Sequence, residues 1–552
     1  MSHAAGARRN TATSINAVEE PLSPWHLSGF GHWLPEPEPA DLGRVTRPRP
    51  EVMAKLAHLV RGGYDWPKPL VPWTPAQPTV EPDDNPDIPA GYTYLMQFVA
   101  HDVVQTLTSF WAAEPAIGSA NMRAAPLQLM TLYGGTPIAT PIAYAPTGTD
   151  DALRTKLQIG RIGGPASTGC PFRDLARAAL DEQASPEGKG LNACQMYDPL
   201  VADQRNDDNA IINQLTMLFI ALHNAIVDQI AAHGRFASLP DLARNQEIFA
   251  AARLVVQRIY HAVIRHDLLK RLLHPAVHAA YTSGAEPIWS GHGGIPLEFT
   301  HGAMRAGHAM VRSVYFLLEG PQREVSLLQS LTVPRAVPQM SFWALRWSRF
   351  FDLGNGVTPN YSRRIGPGVS SLFYDHAEFP PIDDRPGAGS LPYRDLKSAF
   401  FAGLSSVSAL IRTIRRMRPG LIADDWMFAD PLVRASHLSD WLTKRNTRQS
   451  AGLTRDEIAA VAHDMPLPLF VMLEAALDPA TEGRRLGVLG SIVIGDVLFR
   501  LLNKVAPVTD AMITPSLPPA IAREVLAVTD MPGCVRLVDR LAFGPGANPP
   551  FI

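Results

Sequence analysis

Two histidines stand out because each lies within an apolar segment. His101 lies in QFVAHDVV, four residues after Gln97, and His308 lies in MRAGHAMVR directly after Gly307. A neutral imidazole can take up and return a proton near neutral pH or bind a metal ion. A glycine beside such a ring lets a flat molecule approach the chain closely. A single histidine on an apolar helix is nevertheless more often a packed core residue than a ligand.

Arg205 lies in ADQRNDDNAIINQL, immediately before another apolar segment. Asp207 or Asp208 could cap a helix there, because a carboxylate accepts hydrogen bonds from the first free amides. The guanidinium does not suit that position, since the helix dipole disfavours a cation at the N-terminus. The segment therefore allows two interpretations, a capped helix start or a functional cation.

Helices must position these residues, because apolar residues recur at helical spacing in five long segments. The segments are 91–113, 209–233, 245–273, 302–318 and 485–505. Strand signals are sparse, and Gly/Pro-rich connectors separate the segments. The predicted fold class is mainly α, with one large helical domain over 90–552 and little β structure.

Residues 1–89 predict an extended, proline-rich arm that wraps the helical domain. Fifteen of the 50 prolines lie between Pro21 and Pro89, and proline disfavours a continuous helix. Four tryptophans are predicted to anchor the arm: Trp25, Trp33, Trp66 and Trp73. For residues 1–20 a disordered tail is the alternative.

Composition argues against several classes of protein. Lys+Arg number 50 and Asp+Glu 52, for a formal charge of −2, so nucleic-acid binding is not expected. Three cysteines are too few for a disulfide framework or a zinc cage. The apolar stretch 486–502 contains Asp496 and predicts a buried helix rather than a membrane span. No signal peptide, P-loop, nucleophile elbow or HExxH motif is present, and we expect a cytoplasmic location.

Taken in order, three segments resemble the animal-type haem peroxidases, particularly their bacterial branch. QFVAHD is similar to QFxDHD in that family, RNDDNAIINQLTMLFIALHN to RNDENxxxxQLxxxFxxxHN, and MRAGHAMVRSVY to RxGHxMVRxxY. Weaker similarity extends the match over residues 90–505. The resemblance implies a helical haem peroxidase domain, with His101, Arg205 and Gln97 as catalytic residues. The residues it implies at the cofactor are His308 as proximal iron ligand, Arg305 near a propionate, Arg312, Asp395, Asp208 and Asn209.

Departures from the family pattern change what is expected of the cofactor. Ala100 stands where the animal enzymes have the aspartate that esterifies a haem methyl. Asp208 replaces the usual glutamate at the second ester position, and Asn209 replaces the methionine of one mammalian member. We expect non-covalent haem b and weaker halide oxidation than in the covalently linked members.

The segment that resembles the calcium loop of the family has lost two carboxylates. It reads LQLMTLYG, with Gln128 and Met130 in place of aspartates, although Asp102 is retained. A hard cation prefers charged oxygen ligands, and a thioether supplies none. Tightly bound calcium is therefore not expected.

The partner of His308 has two candidates. Asp395, 87 residues later in LPYRDLKSAFFAGL, matches the family asparagine that binds the proximal histidine. Asn446 in KRNTRQSAGL is the competing match, but its local spacing is worse by two residues. A helix-start aspartate is the other interpretation of Asp395. Ser398 stands where the family has a second propionate arginine, so that anchor is missing.

The expected function is reduction of hydrogen peroxide with oxidation of an organic donor. A haem-dependent oxygenase or dioxygenase acting on an apolar substrate is one alternative, although Arg305 replaces the tyrosine that the fatty-acid dioxygenases of the superfamily need. A non-catalytic haem-binding relic of the fold is the other alternative. The donor and the oligomeric state are not readable from the sequence.

Overall fold

The computed structural model describes residues 30–31, 33, 50–62, 64–66, 83–106, 121–148, 150–160, 174–179, 197–317, 324–326, 345–375, 381–385, 387–422, 425–446, 452–504 and 508–543. Over this part of the chain the predicted mainly α fold class is confirmed, and the strands are short.

The helices and strands are as follows. The α-helices are α1 (Pro50–Leu59), α2 (Gly91–Val103), α3 (Met130–Tyr133), α4 (Ala210–His233), α5 (Asp241–Val263), α6 (Leu269–Leu272), α7 (Pro275–Thr282), α8 (Leu372–Asp375), α9 (Leu391–Phe401), α10 (Val407–Met417), α11 (Trp426–Ala429), α12 (Pro431–Asn446), α13 (Arg455–His463), α14 (Leu467–Leu477), α15 (Val488–Lys504), α16 (Asp510–Ile513), α17 (Pro519–Ala527) and α18 (Met531–Val538). The strands are β1 (Phe30–Gly31), β2 (Asp84–Pro89), β3 (Arg177–Ala179), β4 (Tyr197–Pro199), β5 (Ile295–Pro296), β6 (Val314–Phe316), β7 (Glu324–Ser326) and β8 (Tyr361–Arg363). They form four separate pairs, β1 with β5 in parallel and β2 with β8, β3 with β4 and β6 with β7 antiparallel.

Helix α4 is the most apolar long element of the core. Asn209 caps it by accepting hydrogen bonds from the amides of Ile211 and Ile212, and Gly234 ends it in the left-handed region at φ 73°. Among the described helices α4 by itself is long and apolar enough to cross a membrane, and 89% of its most apolar window is buried inside the protein. α13 and α14 pass the same test only as a pair, with an 83° bend between them.

An aromatic cluster ties three helices together. Phe98 of α2 stacks on Phe219 of α4 at 5.1 Å between ring centroids, and Tyr260 of α5 meets both rings edge-on at 5.9 and 5.8 Å. Such pairs add to the free energy of burial beyond the area they cover. This packing fixes the face of α2 that carries His101.

The segment that carries His308 is not the α-helix predicted over 302–318. Glu298–Gly302 is a π-helix, Ala303–Met310 is a 3₁₀-helix, and the chain then enters β6. A Cβ added at Gly302 would lie 2.5 Å from Cδ2 of Leu467, so the glycine permits a close approach to α14. β-branched and aromatic residues favour the strand that follows. Apolar spacing alone does not distinguish an α-helix from this succession of π-helix, 3₁₀-helix and strand.

Other boundaries also differ from the predictions. α2 ends at Val103 rather than continuing towards residue 113, because Val104 is extended and Asn121 binds Val103 O and Gln105 N through its side chain. The predicted segment 245–273 is divided by a π-helix over Ile264–Leu268. The predicted helix over 485–505 is confirmed as the buried α15.

The N-terminal arm is not extended throughout. Pro50 lies at the first position of α1, where the missing amide hydrogen costs nothing. Trp33 is an anchor, with its amide donating to Glu298 Oε2 and its Nε1 donating to Asp496 Oδ2, both at 2.9 Å. Arg364 lies over the Trp66 ring at 3.9 Å. Trp25 and Trp73 lie outside the described residues, and the division into 1–89 and 90–552 stays a prediction.

Candidate functional site

A cavity of about 500 Å³ brings together the histidines and the arginine singled out by the sequence. One wall is α2 with the turn before α4, and another is the segment from Phe299 to Val311. The polar lining residues are Thr93, Tyr94, Gln97, His101, Thr106, Arg205, Asp208, Asn209, Thr300, His301, Arg305 and His308. The apolar lining includes Met96, Val104, Phe299, Met304, Val311, Phe373 and Leu391. A concave, largely apolar cavity with a few convergent polar groups is typical of a ligand site.

His101 is held as a neutral base on α2. Its Nδ1 lies 2.9 Å from the Asn206 amide oxygen, which accepts a hydrogen bond, so Nδ1 carries the proton and Nε2 is the basic nitrogen. Burial, followed by the charge of Arg205, lowers the pKa of His101 from 6.5 to about 4. Gln97 lines the same cavity one turn earlier on α2.

Arg205 is fixed by Asp203 rather than by a helix cap. Its Nη2 donates to Asp203 Oδ2 at 2.7 Å and to the His101 carbonyl oxygen at 3.0 Å. Asp203 also caps the 3₁₀ turn Gln204–Asp207 through the Arg205 amide. The alternative that Asp207 or Asp208 caps α4 is wrong, because Asn209 is the cap. The guanidinium is thus a positioned cation at the cavity.

Sequence reasoning missed three residues that build this wall. Asn206 orients His101, Asp203 holds Arg205, and Arg123 binds both Asp203 and, through Nε at 2.9 Å, the His101 carbonyl oxygen. Asn206 and Asp203 lie beside Arg205 in the segment already singled out. Arg123 had no comparable signal, because its place depends on the turn that returns the chain to the end of α2.

Asp208 and Asn209 both line the cavity. Burial raises the pKa of Asp208 to about 7, against the opposing effect of Arg205. Asn209 uses its side-chain oxygen for the α4 amides. Asn209 therefore lines the cavity and also caps α4.

His308 is bound to Asp395 of α9, with 2.6 Å between Nδ1 and Oδ2. The helix-start interpretation of Asp395 is wrong, since Ser390 caps α9. Asn446, the competing partner, instead binds the backbone amide and carbonyl of Leu453. With Nδ1 engaged, Nε2 of His308 is the nitrogen suited to bind a metal.

The two arginines of the His308 segment have different surroundings. Arg305 lines the cavity and contacts Asp395 Oδ1 at 3.4 Å, with its Nε donating to the Thr300 carbonyl oxygen. Arg312 is 2% exposed, lies 3.5 Å from Asp84 and does not line the cavity. The structure therefore does not bring Arg312 to the predicted cofactor site, because the chain has turned towards β6 at that point.

Residues 165–357 match the family model described as animal haem peroxidase. This part of the chain is similar to the animal haem peroxidases. It contains Arg205, Asp208, Arg305 and His308, and the fold adds His101 and Asp395 from outside it.

The fold of the chain is similar to that of solved fatty acid alpha-dioxygenases. Fatty acid alpha-dioxygenase from Arabidopsis thaliana is 14% identical with a TM-score of 0.53, over 93% of this chain and 78% of that chain. The Oryza sativa fatty acid alpha-dioxygenase Y379F with palmitic acid is 13% identical with a TM-score of 0.55, over 95% and 83%. Peroxidase A from Dictyostelium discoideum is 14% identical with a TM-score of 0.49, over 91% and 98%. Identities this low show the fold alone, and no curated protein matches the sequence.

The residues that line the cavity fit a haem. His308 offers a metal-binding nitrogen backed by a carboxylate, Arg305 offers a cation for a carboxylate, and the rest of the lining is largely apolar. Haem ligation by a proximal histidine uses this donor set. At Gly307 an added Cβ would lie 3.0 Å from Cε of Met96, so Met96, a flexible cavity side chain, occupies the space predicted for a flat ligand.

The loop that resembles a calcium site is closed by protein groups. Asp102 accepts hydrogen bonds from the amides of Leu129 at 2.8 Å and Thr131 at 3.4 Å. Arg253, Gln257 and His261 of α5 bind loop carbonyl oxygens of Gly135, Gln128 and Leu127. Within the described part of the chain, no group of three or more His, Cys, Asp or Glu residues could hold a metal ion. The absence of calcium stays a prediction.

Proposed function

We propose that the protein binds haem b without a covalent link, reduces hydrogen peroxide and oxidises an organic donor. The observation that carries the proposal is the single cavity that brings together His101, Arg205 and His308. When bound, haem supplies the redox-active iron at which peroxide is reduced. The neighbouring side chains determine how protons and charge are managed there.

His101 is suited to move the proton of the peroxide. Its Nε2 is unprotonated at neutral pH, because burial keeps the pKa near 4. It can take a proton from the attacking peroxide oxygen and return it to the leaving oxygen, which then departs as water. Asn206 keeps Nδ1 protonated throughout, so the proton moves at Nε2.

Arg205 is suited to stabilise negative charge as the O–O bond breaks. Asp203 and the His101 carbonyl oxygen fix the guanidinium, so no reorganisation is needed at that moment. On the other wall, the Asp395 carboxylate makes His308 a stronger electron donor to a bound metal. Gln97 adds a neutral polar group to the His101 wall.

Two measurements test this proposal. Purified protein with a Soret band should oxidise guaiacol in the presence of peroxide, and stopped-flow mixing with peroxide should change the Soret band within the first turnover. Acid-acetone extraction should release the haem, because Ala100 cannot form an ester and the Asp208 side chain is one methylene shorter than the glutamate usual at the second ester position. A haem-loaded protein whose Soret band ignores peroxide would instead be a non-catalytic relic.

A second candidate is an oxygenase that acts on an apolar substrate. The alpha-dioxygenase neighbours, one of them with palmitic acid, favour it, as does the buried Tyr94 in the cavity wall. The position three residues before His308 is Arg305, however, and not a tyrosine. Oxygen uptake with palmitic acid that stops in Tyr94→Phe would support this candidate over the peroxidase.

A further inference from the structure

A series of neighbouring aromatic rings, the ring chain, leads away from the cavity. Tyr94 of α2 lines the cavity and meets Tyr315 of β6 edge-on, with 5.7 Å between ring centroids. Tyr315 stacks on Phe350 at 6.0 Å, and Phe350 meets Trp347 edge-on at 6.5 Å. All four side chains are buried. They form the inner half of the ring chain.

The outer half of the ring chain returns to the start of α2. Trp347 stacks on Phe351 at 5.7 Å, and Phe351 meets Tyr92 edge-on at 5.1 Å. The guanidinium of Arg271, a side chain that is 35% exposed, lies 4.6 Å from the centroid of the Tyr92 ring. A Cβ added at Gly91 would lie 2.5 Å from Cε1 of Phe351, so the glycine permits this close packing. The ring chain therefore ends one side chain below the surface.

The residue types along the ring chain suit electron transfer. Tyrosine and tryptophan give up one electron more readily than phenylalanine does, so Phe350 and Phe351 only bridge their oxidisable neighbours. The rate of electron tunnelling falls exponentially with distance, and neighbouring rings therefore exchange electrons fast. Oxidisable rings lie at both ends of the ring chain and, as Trp347, in its middle. This order gives a path for electrons between the surface and the cavity.

Tyr92 differs from Tyr94 in having an acceptor for its proton. A phenol that loses an electron becomes a strong acid, so it is oxidised more easily when a neighbouring base takes the proton. Tyr92 Oη donates to Asp267 Oδ2 at 2.6 Å, and Arg271 Nε donates to Asp267 Oδ1 at 2.8 Å. The charge near Tyr94 is instead the cation of Arg312, which cannot accept a proton. Oxidation is therefore expected to come to rest at Tyr92.

We propose that the ring chain carries oxidation from the cavity to Tyr92, where a phenolic donor too large for the cavity gives up its electron at the surface beside Arg271. The inference rests on the proposed peroxide reduction in the cavity. A cavity of about 500 Å³ that holds the cofactor leaves little room for such a donor. A path to the surface makes entry of the donor unnecessary.

Electrons and protons balance over two such transfers. In each, Tyr92 passes one electron inward and its phenolic proton to Asp267. The donor phenol then replaces the electron, Asp267 returns the proton to Tyr92, and the donor becomes a phenoxyl radical as it releases its own proton to solvent. Two donors thus supply the two electrons that convert one hydrogen peroxide into two waters. The two protons that they release match the two that the waters take up.

Freeze-quench electron paramagnetic resonance of the haem-loaded full-length protein tests this path. Mixed with hydrogen peroxide and no donor, the wild-type protein should show a protein radical whose hyperfine splitting collapses when its tyrosines are ring-deuterated. Tyr92→Phe removes one oxygen from the outer end of the ring chain, and Trp347→Phe removes the oxidisable ring in the middle. Each variant should lose the tyrosyl signal.

A donor that cannot enter the cavity supplies a second readout. Guaiacol coupled to dextran should be oxidised by the wild-type protein, and free guaiacol is the reference donor. In Tyr92→Phe and in Trp347→Phe, oxidation of the coupled donor should be lost relative to that of the free donor. The ratio of the two rates separates a broken path from a general loss of peroxide reduction.

Two control variants match the two changes. Tyr281→Phe removes another buried hydroxyl that donates to a carboxylate, 2.7 Å from Asp496 Oδ1 and outside the cavity lining. Trp289→Phe removes another buried indole that does not line the cavity. Both controls should retain the tyrosyl signal and the wild-type ratio of rates. If Trp347→Phe does not fold, Tyr92→Phe decides the question.

The outcomes distinguish this inference from the proposed function. A tyrosyl signal or a coupled-donor rate that persists in Tyr92→Phe would overturn the ring chain, as would a wild-type Soret response to peroxide without any protein radical, and peroxide reduction would stand. Wild-type protein whose Soret band ignores peroxide would overturn the proposed function and the inference with it. Loss of both readouts in the ring-chain variants, with both controls unchanged, supports the inference.

Discussion

The two walls of the cavity hold their histidines with chemically different partners. On the α2 wall, His101 is bound by the neutral amide of Asn206 at 2.9 Å. On the other wall, His308 is bound by the carboxylate of Asp395 at 2.6 Å. An amide fixes the tautomer without adding charge, whereas a carboxylate also raises the basicity of the ring. The first arrangement suits a proton acceptor and the second suits a metal ligand.

The two walls also differ in backbone conformation. α2 is a regular helix, and its position depends on aromatic packing against α4 and α5. The His308 wall changes from π- to 3₁₀-helix within Glu298–Met310, and irregular helical turns of this kind often occur at functional sites. Its partner comes from α9, far along the chain. The partner of His101 is no less distant, since Asn206 lies 105 residues from His101 and Asp395 lies 87 residues from His308. Both walls therefore depend on tertiary contacts, and they differ in the regularity of their backbone.

Replacing the metal-ligand candidate should have the largest effect. His308→Ala removes the nitrogen that we assign to the iron, so purified protein should lose its Soret band or retain only weakly bound haem. The measurement is haem per polypeptide from pyridine haemochrome spectra. His223→Ala is the control, because it removes a buried histidine outside the cavity. Full haem content in His308→Ala would refute the ligand assignment.

Changing the α2 wall should leave haem bound and slow its reaction. His101→Ala should reduce the rate of peroxide reduction by about 10²-fold or more, as expected for the loss of a general base. Arg205→Ala should have an effect of similar size through the loss of charge stabilisation. Stopped-flow absorbance at the Soret band gives both rates. A wild-type rate in His101→Ala would mean that the proton acceptor is elsewhere.

The sequence predicted the long apolar helices better than the contacts that build either wall. α4 and α15 follow apolar periodicity and were predicted closely, since a buried helix needs little else. Asp203 and Asn206 lie next to a residue already singled out, but only the folded turn shows which atoms they bind. Local spacing favours Asp395 over Asn446, and the contact of Asp395 with His308 Nδ1 confirms that preference. Arg312 shared a motif with His308, yet the turn towards β6 carries it to Asp84.

The N-terminal arm could also be predicted only in part from the sequence. The density of prolines predicts an extended chain. Pro50, however, occupies the first position of α1, where a helix tolerates proline. Trp33 was predicted as an anchor because tryptophan is rare in disordered tails. Its partners Glu298 and Asp496 lie 265 and 463 residues away. No local pattern reveals such distant contacts.

Removing the charge from the His308 partner tests the comparison directly. Asp395→Asn retains a hydrogen-bond acceptor for Nδ1 but makes the wall resemble that of His101. Peroxide reduction should fall by about 10–100-fold, the usual cost of changing a metal-ligand partner, and the iron reduction potential should become more positive. Asp383→Asn is the control, since Asp383 accepts from Tyr393 Oη at 2.7 Å outside the cavity. An unchanged potential would show that the carboxylate does not influence the metal.

The converse change adds charge to the α2 wall and should appear as a pH shift. In wild-type protein the rate should stay constant through neutral pH and fall only near pH 4, where His101 becomes protonated. Asn206→Asp should raise the pKa of His101 by about 1–3 units. The pH at which the rate of peroxide reduction falls should rise by the same amount. Asn224→Asp, which alters an amide bound to Leu157, should leave that pH unchanged. If the acidic side of the pH–rate profile does not move in Asn206→Asp, the group that titrates is not the imidazole bound to Asn206.

Protein stability should change with the same titration. The unfolded chain binds a proton at His101 near pH 6.5, whereas the folded chain does so only near 4. The folded state is therefore destabilised as pH falls from 6.5 towards 4. Circular dichroism at each pH separates this loss of fold from a loss of rate.

The smallest expected effect concerns the loop beside the α2 wall. Because Asp102 accepts amide hydrogens and α5 side chains hold the loop carbonyl oxygens, a cation is not needed to join the loop to α2. Chelation with EGTA should therefore leave the melting temperature and the rate of peroxide reduction unchanged, and elemental analysis should find no stoichiometric calcium. Asp102→Asn should lower the melting temperature, because an amide has a single acceptor oxygen for the two amides of Leu129 and Thr131. A melting temperature that falls on chelation and recovers with calcium would show that the loop binds the cation after all, and would make the α2 wall dependent on a ligand.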